Sequence, residues 1–155
     1  MTAVKIFTPV NRLKETVTER YGRDREQLAR ASEARVEQLA PQLRAQVAEK
    51  VARLVALRQV EVDHLCQHTL EIGDAAMGIA ELAGAAGQPR LGEAARGVLA
   101  MLPALRAGDS RAANAMLVHL TSLELISGQE PGGGDDLAAV LARLAGLRQA
   151  LGLPD

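Results

Sequence analysis

Three histidines and one cysteine are the residues of this 155-residue chain best suited to chemistry: His64, Cys66, His68 and His119. His64 and His68 stand four apart, a spacing that lets two imidazoles grip a metal from one face of a helix. Two ligands do not close a site, and the His-Glu-x-x-His pattern of metallopeptidases is absent. At ~100° per residue, Cys66 points about 160–200° away from both histidines and does not complete the set. No metal and no other cofactor is therefore expected. Neither a nucleophile elbow nor a Gly-rich phosphate loop accompanies Cys66 or any Ser/His pair, so the sequence does not read as an enzyme. The acid pairs Asp63/Glu71 and Asp74/Glu81 read most simply as the solvated face of a helix.

These residues need elements to hold them, and composition says which. Apolar residues make up 48% and charged residues 24%, whereas aromatic residues make up 1%, with Phe7, Tyr21 and no Trp. Strands favour aromatic and β-branched side chains, but this chain is rich in Ala, Leu, Arg, Glu and Gln, which favour helix. The same scarcity removes the stacking platform that single-stranded nucleic acid needs. A net charge of −1 supplies no basic field for DNA, RNA or an anionic membrane. The lone Cys66 excludes an internal disulfide and fits a reducing compartment. The opening residues carry no apolar run of signal-peptide type, and no segment approaches ~20 uninterrupted apolar residues. A cytoplasmic location is expected.

The expected fold is all-α, an antiparallel four-helix-type bundle with extra N- and C-terminal segments. Residues 1–22 read as an arm, with a short extended patch at 4–7 and a brief helix capped by Asn11. A bundle follows over residues 23–127, then a Gly-rich linker at 128–134 and a C-terminal helix in 135–155. Apolar steps of three and four predict helices over 24–58 (broken or kinked at Pro41), 60–86, 89–106 (kinked in its last turn by Pro103), 109–126 and 135–151. Gly22, Gly87 and Gly108 are the stops, and Asp109 or Ser110 and Asp135 are the caps. Short connections place successive helices antiparallel.

The arm PVNRLK at 9–14, RASEARVEQL at 30–39 and GQPRLGEAARGVLAML at 87–102 together resemble a group of small bacterial proteins with a histidine-phosphotransfer (HPt) domain. In that group a similar arm leads into paired helices. A helix bearing the phosphoacceptor His then precedes a Gly-aromatic-Pro turn that opens the next helix. The likeness spans about residues 4–126, and its most specific parts are the arm and the Gly87-Gln88-Pro89 turn. It implies a helical bundle that docks on a response-regulator receiver domain or a histidine kinase. A homodimer is compatible with the sequence.

Phosphoryl acceptance requires an imidazole projecting from mid-helix into solvent, a small residue one turn on and a basic neighbour. Two registers compete for that position. In one, His68 is the candidate phosphoacceptor, but Glu71 stands where a basic residue is wanted and Ile72 where a small one is. In the other, counted back from the Gly87 turn, the place falls on Met77, followed by Gly78, Ile79, Ala80 and Glu81. On a helical wheel the core stripe is Leu65, Thr69, Ile72, Ala76, Ile79 and Ala83. His68 then lies about 60° from the centre of that stripe, and Met77 about 120° away, towards solvent. The wheel thus favours Met77 at the acceptor's place, with His68 half-buried and hydrogen-bonded across the bundle. The expected partner-binding surface is Gly73, Asp74, Met77, Gly78, Ala80, Glu81 and Gly84. The readings carried forward are an HPt-like docking protein without phosphotransfer, an active relay through His68, and a plain helical scaffold or dimerisation module.

Overall fold

The protein is described here by a computed structural model covering residues 25–128 and 135–153. The N-terminal arm, its Asn11 cap and Gly22 stop, linker residues 129–134 and the Asp135 cap fall outside the described residues. Two compact units divide the chain, Met1–Gln38 and Leu39–Asp155. In the first unit, the described residues 25–38 are helical and exposed throughout, Leu28 and Val36 included. The second unit holds the core.

Helix α1 spans Arg25–Ala56 as one element and runs on through Pro41, where the sequence suggested a break or kink. Proline removes the bond to the Glu37 carbonyl. Both residues are exposed, so water can take over that carbonyl. Further along, Val47, Val51 and Leu54 are buried, as their spacing predicts.

The next segment departs from the sequence reading. Instead of one helix over 60–86, the chain forms two 3-10 stretches, Leu57–Gln59 and Val62–His68, and only then α2, Thr69–Leu82. Between the 3-10 stretches the backbone is extended, with ψ 137° at Val60 and 140° at Glu61. β-Branched Val60 and Val62 lose side-chain freedom in a helix and tolerate extended backbone. The detour also puts both Leu57 and Leu65 into the core. Arg58 ties this segment to Glu124 with a 2.6 Å ion pair.

Helices α3 (Pro89–Arg106), α4 (Ser110–Ser127) and α5 (Asp135–Ala150) complete the described part. Pro89 opens α3, and α3 continues through Pro103 to Arg106. Gly87 and Gly108 stop the preceding helical stretches with φ of 80° and 77°, in the left-handed region that disfavours a Cβ. At Gly87 the N–H of Gln88 donates to the Ala83 carbonyl and that of Gly87 to the Gly84 carbonyl, a Schellman closure. Asp109, one of the two expected caps, takes the role, accepting from the Arg111 N–H at 2.9 Å. Hydrogen bonds from Arg111, side chain first and backbone second, hold the Asp109 carboxyl below its ordinary value.

Among the described residues there are five α-helices and no strand, so the fold is an all-α helical bundle. α2 packs on α3 and α3 on α4, while α5 lies against both α3 and α4. Ile72, Ile79, Leu91, Met101, Met116, Leu120 and Leu123 fill the centre. Ala76, Ala83 and Ala95, all fully buried, let the helices approach closely.

Two glycine substitutions three residues apart should act in opposite directions. Gly87→Ala should lower stability by about 1 kcal/mol because of its positive φ. Gly84 has no such φ and nothing within 4 Å of an added Cβ, so Gly84→Ala should raise stability by roughly 0.5 kcal/mol. Urea midpoints at unchanged m-value would measure both.

Candidate functional site

The outward face of α2 is where the sequence placed its candidate site, and the helix positions it by burying the opposite stripe. Leu65, Ile72, Ala76, Ile79 and Ala83 are fully buried and Thr69 is 8% exposed, so the expected core stripe is the observed one. With that stripe fixed, Met77 must point outward, and it is 49% exposed.

The seven residues expected at the surface divide into three groups. Asp74, Met77, Glu81 and Gly84 are exposed and share the outer face. Gly73 and Ala80 are half-buried and turn towards α3: a Cβ at Gly73 would lie 3.4 Å from Leu102 Cδ1, and Ala80 packs against the core. Gly78 is covered from α1 by the Lys50 side chain, whose Nζ lies 2.8 Å from where a Gly78 Cβ would be. The absence of a side chain at Gly78 is what lets Lys50 cross the helix there. Lys50 thus sets a cation beside Gly78, the residue after Met77.

One further residue belongs to this face. Leu70 is 73% exposed and sits seven residues, two helical turns, before Met77. Its spacing could have shown it, because Leu70, Asp74, Met77 and Glu81 follow steps of four, three and four. Lys50 carried no such signal, since its proximity depends on how α1 docks. The face therefore consists of two exposed apolar side chains with carboxylates between and beyond them, and one lysine at the margin.

His68 is placed differently from either sequence reading. It caps the end of a 3-10 stretch, immediately before α2, and does not project from mid-helix. Its side chain is 35% exposed, half-buried as expected, but its Nδ1 meets Glu71 Oε2 at 3.2 Å, three residues on, and not a partner across the bundle. In the 3-10 stretch each residue turns ~120°, so His64 and His68 are about 120° apart and do not share a face. His64 pairs instead with Glu61 at 3.5 Å. Cys66 is half-buried with its Sγ 3.7 Å from the Asp63 carbonyl. Among the described residues no group of three or more His, Cys, Asp or Glu could hold a metal ion.

A separate groove of about 440 Å³ runs between α1, α3 and α4, lined by apolar Val47, Val51, Val55 and Leu91 and by charged Arg44 and Glu124. None of the α2 face residues lines it. No family model, curated protein or solved structure matches this chain. Among the described residues no helix is long and apolar enough to cross a membrane.

The burial pattern separates surface from core by substitution. Met77→Lys should change folding stability by less than about 1 kcal/mol, as a half-exposed position on a helix surface. Ile72→Ala, at a fully buried position, should cost about 2–5 kcal/mol. Thermal melts of the two variants would check the contrast. Zinc titration by calorimetry should give no tight one-to-one complex, and a tight site lost in His68→Ala would contradict this arrangement.

Proposed function

We propose that this protein is an HPt-like docking module of two-component signalling, engaging a receiver domain or a histidine kinase through the outer face of α2 without relaying phosphate itself. The observation that carries the reading is Met77, an exposed thioether at the place where the resemblance to HPt proteins puts the acceptor imidazole. A thioether has no nitrogen to phosphorylate, but its flexibility suits an adaptable apolar contact. Leu70 extends that contact along the helix, and Asp74 and Glu81 form a polar rim. His68 is a poor alternative acceptor. Its ring is already bound to Glu71, and that carboxylate would repel an incoming phosphoryl group.

A second reading, a helical scaffold or dimerisation module, is favoured by one observation: Leu28, Val36 and Leu39 on α1 are 50%, 43% and 44% exposed. It predicts self-association and no dependence on the α2 face.

The test is a binding titration against the receiver or kinase encoded nearest to this chain, paired with melting curves. Met77→Lys should weaken binding by about 1–3 kcal/mol, the range of a moderate hot spot, while the fold persists. Incubation with the phosphorylated receiver should leave the protein unlabelled, whereas Met77→His, with Lys50 against the neighbouring Gly78, should gain acid-labile label. Label on the wild type that disappears in His68→Gln would establish the active relay instead. Unchanged binding by folded Met77→Lys would move the assignment to the scaffold.

A further inference from the structure

The buried polar contact that joins three helices has no part in the α2 face. His119 on α4 is 1% exposed. Its Nδ1 lies 2.9 Å from the Ala115 carbonyl one turn earlier, a geometry in which the ring N–H donates to that oxygen. In the neutral ring this leaves Nε2 as an acceptor. Facing it at 3.3 Å is Nη1 of Arg148, from the last turn of α5.

Gly97 of α3 makes the space. A Cβ there would fall 2.5 Å from Arg148 Nη1, 3.3 Å from its Cζ and 3.5 Å from His119 Cδ2. The guanidinium therefore occupies a notch that only a glycine leaves open. The Nε of Arg148 is shielded from solvent with no hydrogen-bond partner. Nε2 of His119 is thus the anchor that holds this arginine in place.

We propose that this contact is a proton-operated latch: protonation of His119 expels Arg148 and loosens α5 from the α3–α4 face while the rest of the bundle stays folded. A proton on Nε2 converts the acceptor into a donor aimed at another donor, and sets two positive charges side by side in a part-buried contact. Either change is unfavourable, and the last turn of α5 carries the arginine that must move. The hold of α5 on the bundle otherwise rests on the buried Leu137, Leu141 and Leu144, with Val140, Leu147, Leu151 and Leu153 packed against the core.

The groups around His119 leave Arg148 as the controlling charge. From α4 itself comes the Ala115 carbonyl, and from α3 comes Gly97, which has no side chain. The 3-10 stretch meets α4 at Ser110 and Ala113, bringing Asp63 and Cys66 there. Burial first, opposed by the Ala115 hydrogen bond and reinforced by the Arg148 charge, holds the His119 imidazole below its ordinary 6.5. The docked form thus binds the proton less readily than the released form. Docking is complete above about pH 6.5 and weakens as pH falls below it.

Amide hydrogen exchange on the full chain at about pH 7.5 and 5.0, corrected for intrinsic rates, tests the latch. In the wild type, α5 amides should lose protection at the lower pH, with α3 protection unchanged. His119→Gln keeps one donor and one acceptor but does not titrate, so its α5 should stay protected at both values. Gly97→Ala fills the notch and should release α5 at neutral pH. If His119→Gln does not fold, the wild-type imidazole resonance of His119 must titrate in step with α5 opening. The latch is refuted by α5 protection that ignores pH, by a response that survives in His119→Gln, or by all helices losing protection together.

Discussion

The contact between α2 and α3 is the constraint on which the other features depend. Its closeness is set by small side chains. Ala76, Ala83 and Ala95 are fully buried, and Gly92 faces the Ala83 Cβ and the Ala80 carbonyl. Helices that approach over alanine and glycine gain dispersion contacts along their backbones, and they gain them in only one rotational setting. Fixing α2 in that setting buries Ile72 and Ile79 and leaves Leu70 and Met77 outward. The exposed apolar face of α2 is the other side of the packing that holds it.

Much of this was legible in the sequence, because it rests on local rules. The six-residue core stripe from Leu65 to Ala83 follows from helical period alone, even though its first residue lies in a 3-10 stretch. Gly87 and Gly108 announced themselves as stops, and Asp109 as one of two caps, because each acts on a backbone group within a few residues. The outward direction of Met77 followed from the same wheel.

What the sequence withheld depends on distant partners. The detour at Val60 and Glu61 contains neither Gly nor Pro, and its apolar spacing also fits a helix; bringing Leu57 and Leu65 to one core is a tertiary demand. Lys50 over Gly78 joins residues on different helices, as does Arg148 in the Gly97 notch. Gly97 read as an ordinary helical residue, and His119 stood out only by its type. No period in the chain encodes the meeting of a glycine on α3, a histidine on α4 and an arginine on α5.

A core filled by Leu, Ile, Val, Ala and Met also has an optical consequence. The chain contains no Trp, and its only ring chromophores besides histidine are Phe7 and Tyr21, both ahead of α1. Among the described residues, the packed interior therefore carries no group that absorbs near 280 nm or fluoresces. Native tyrosine emission comes from Tyr21 alone. A single indole introduced at any bundle position would shine against a dark background, and its spectrum would describe that position and nothing else.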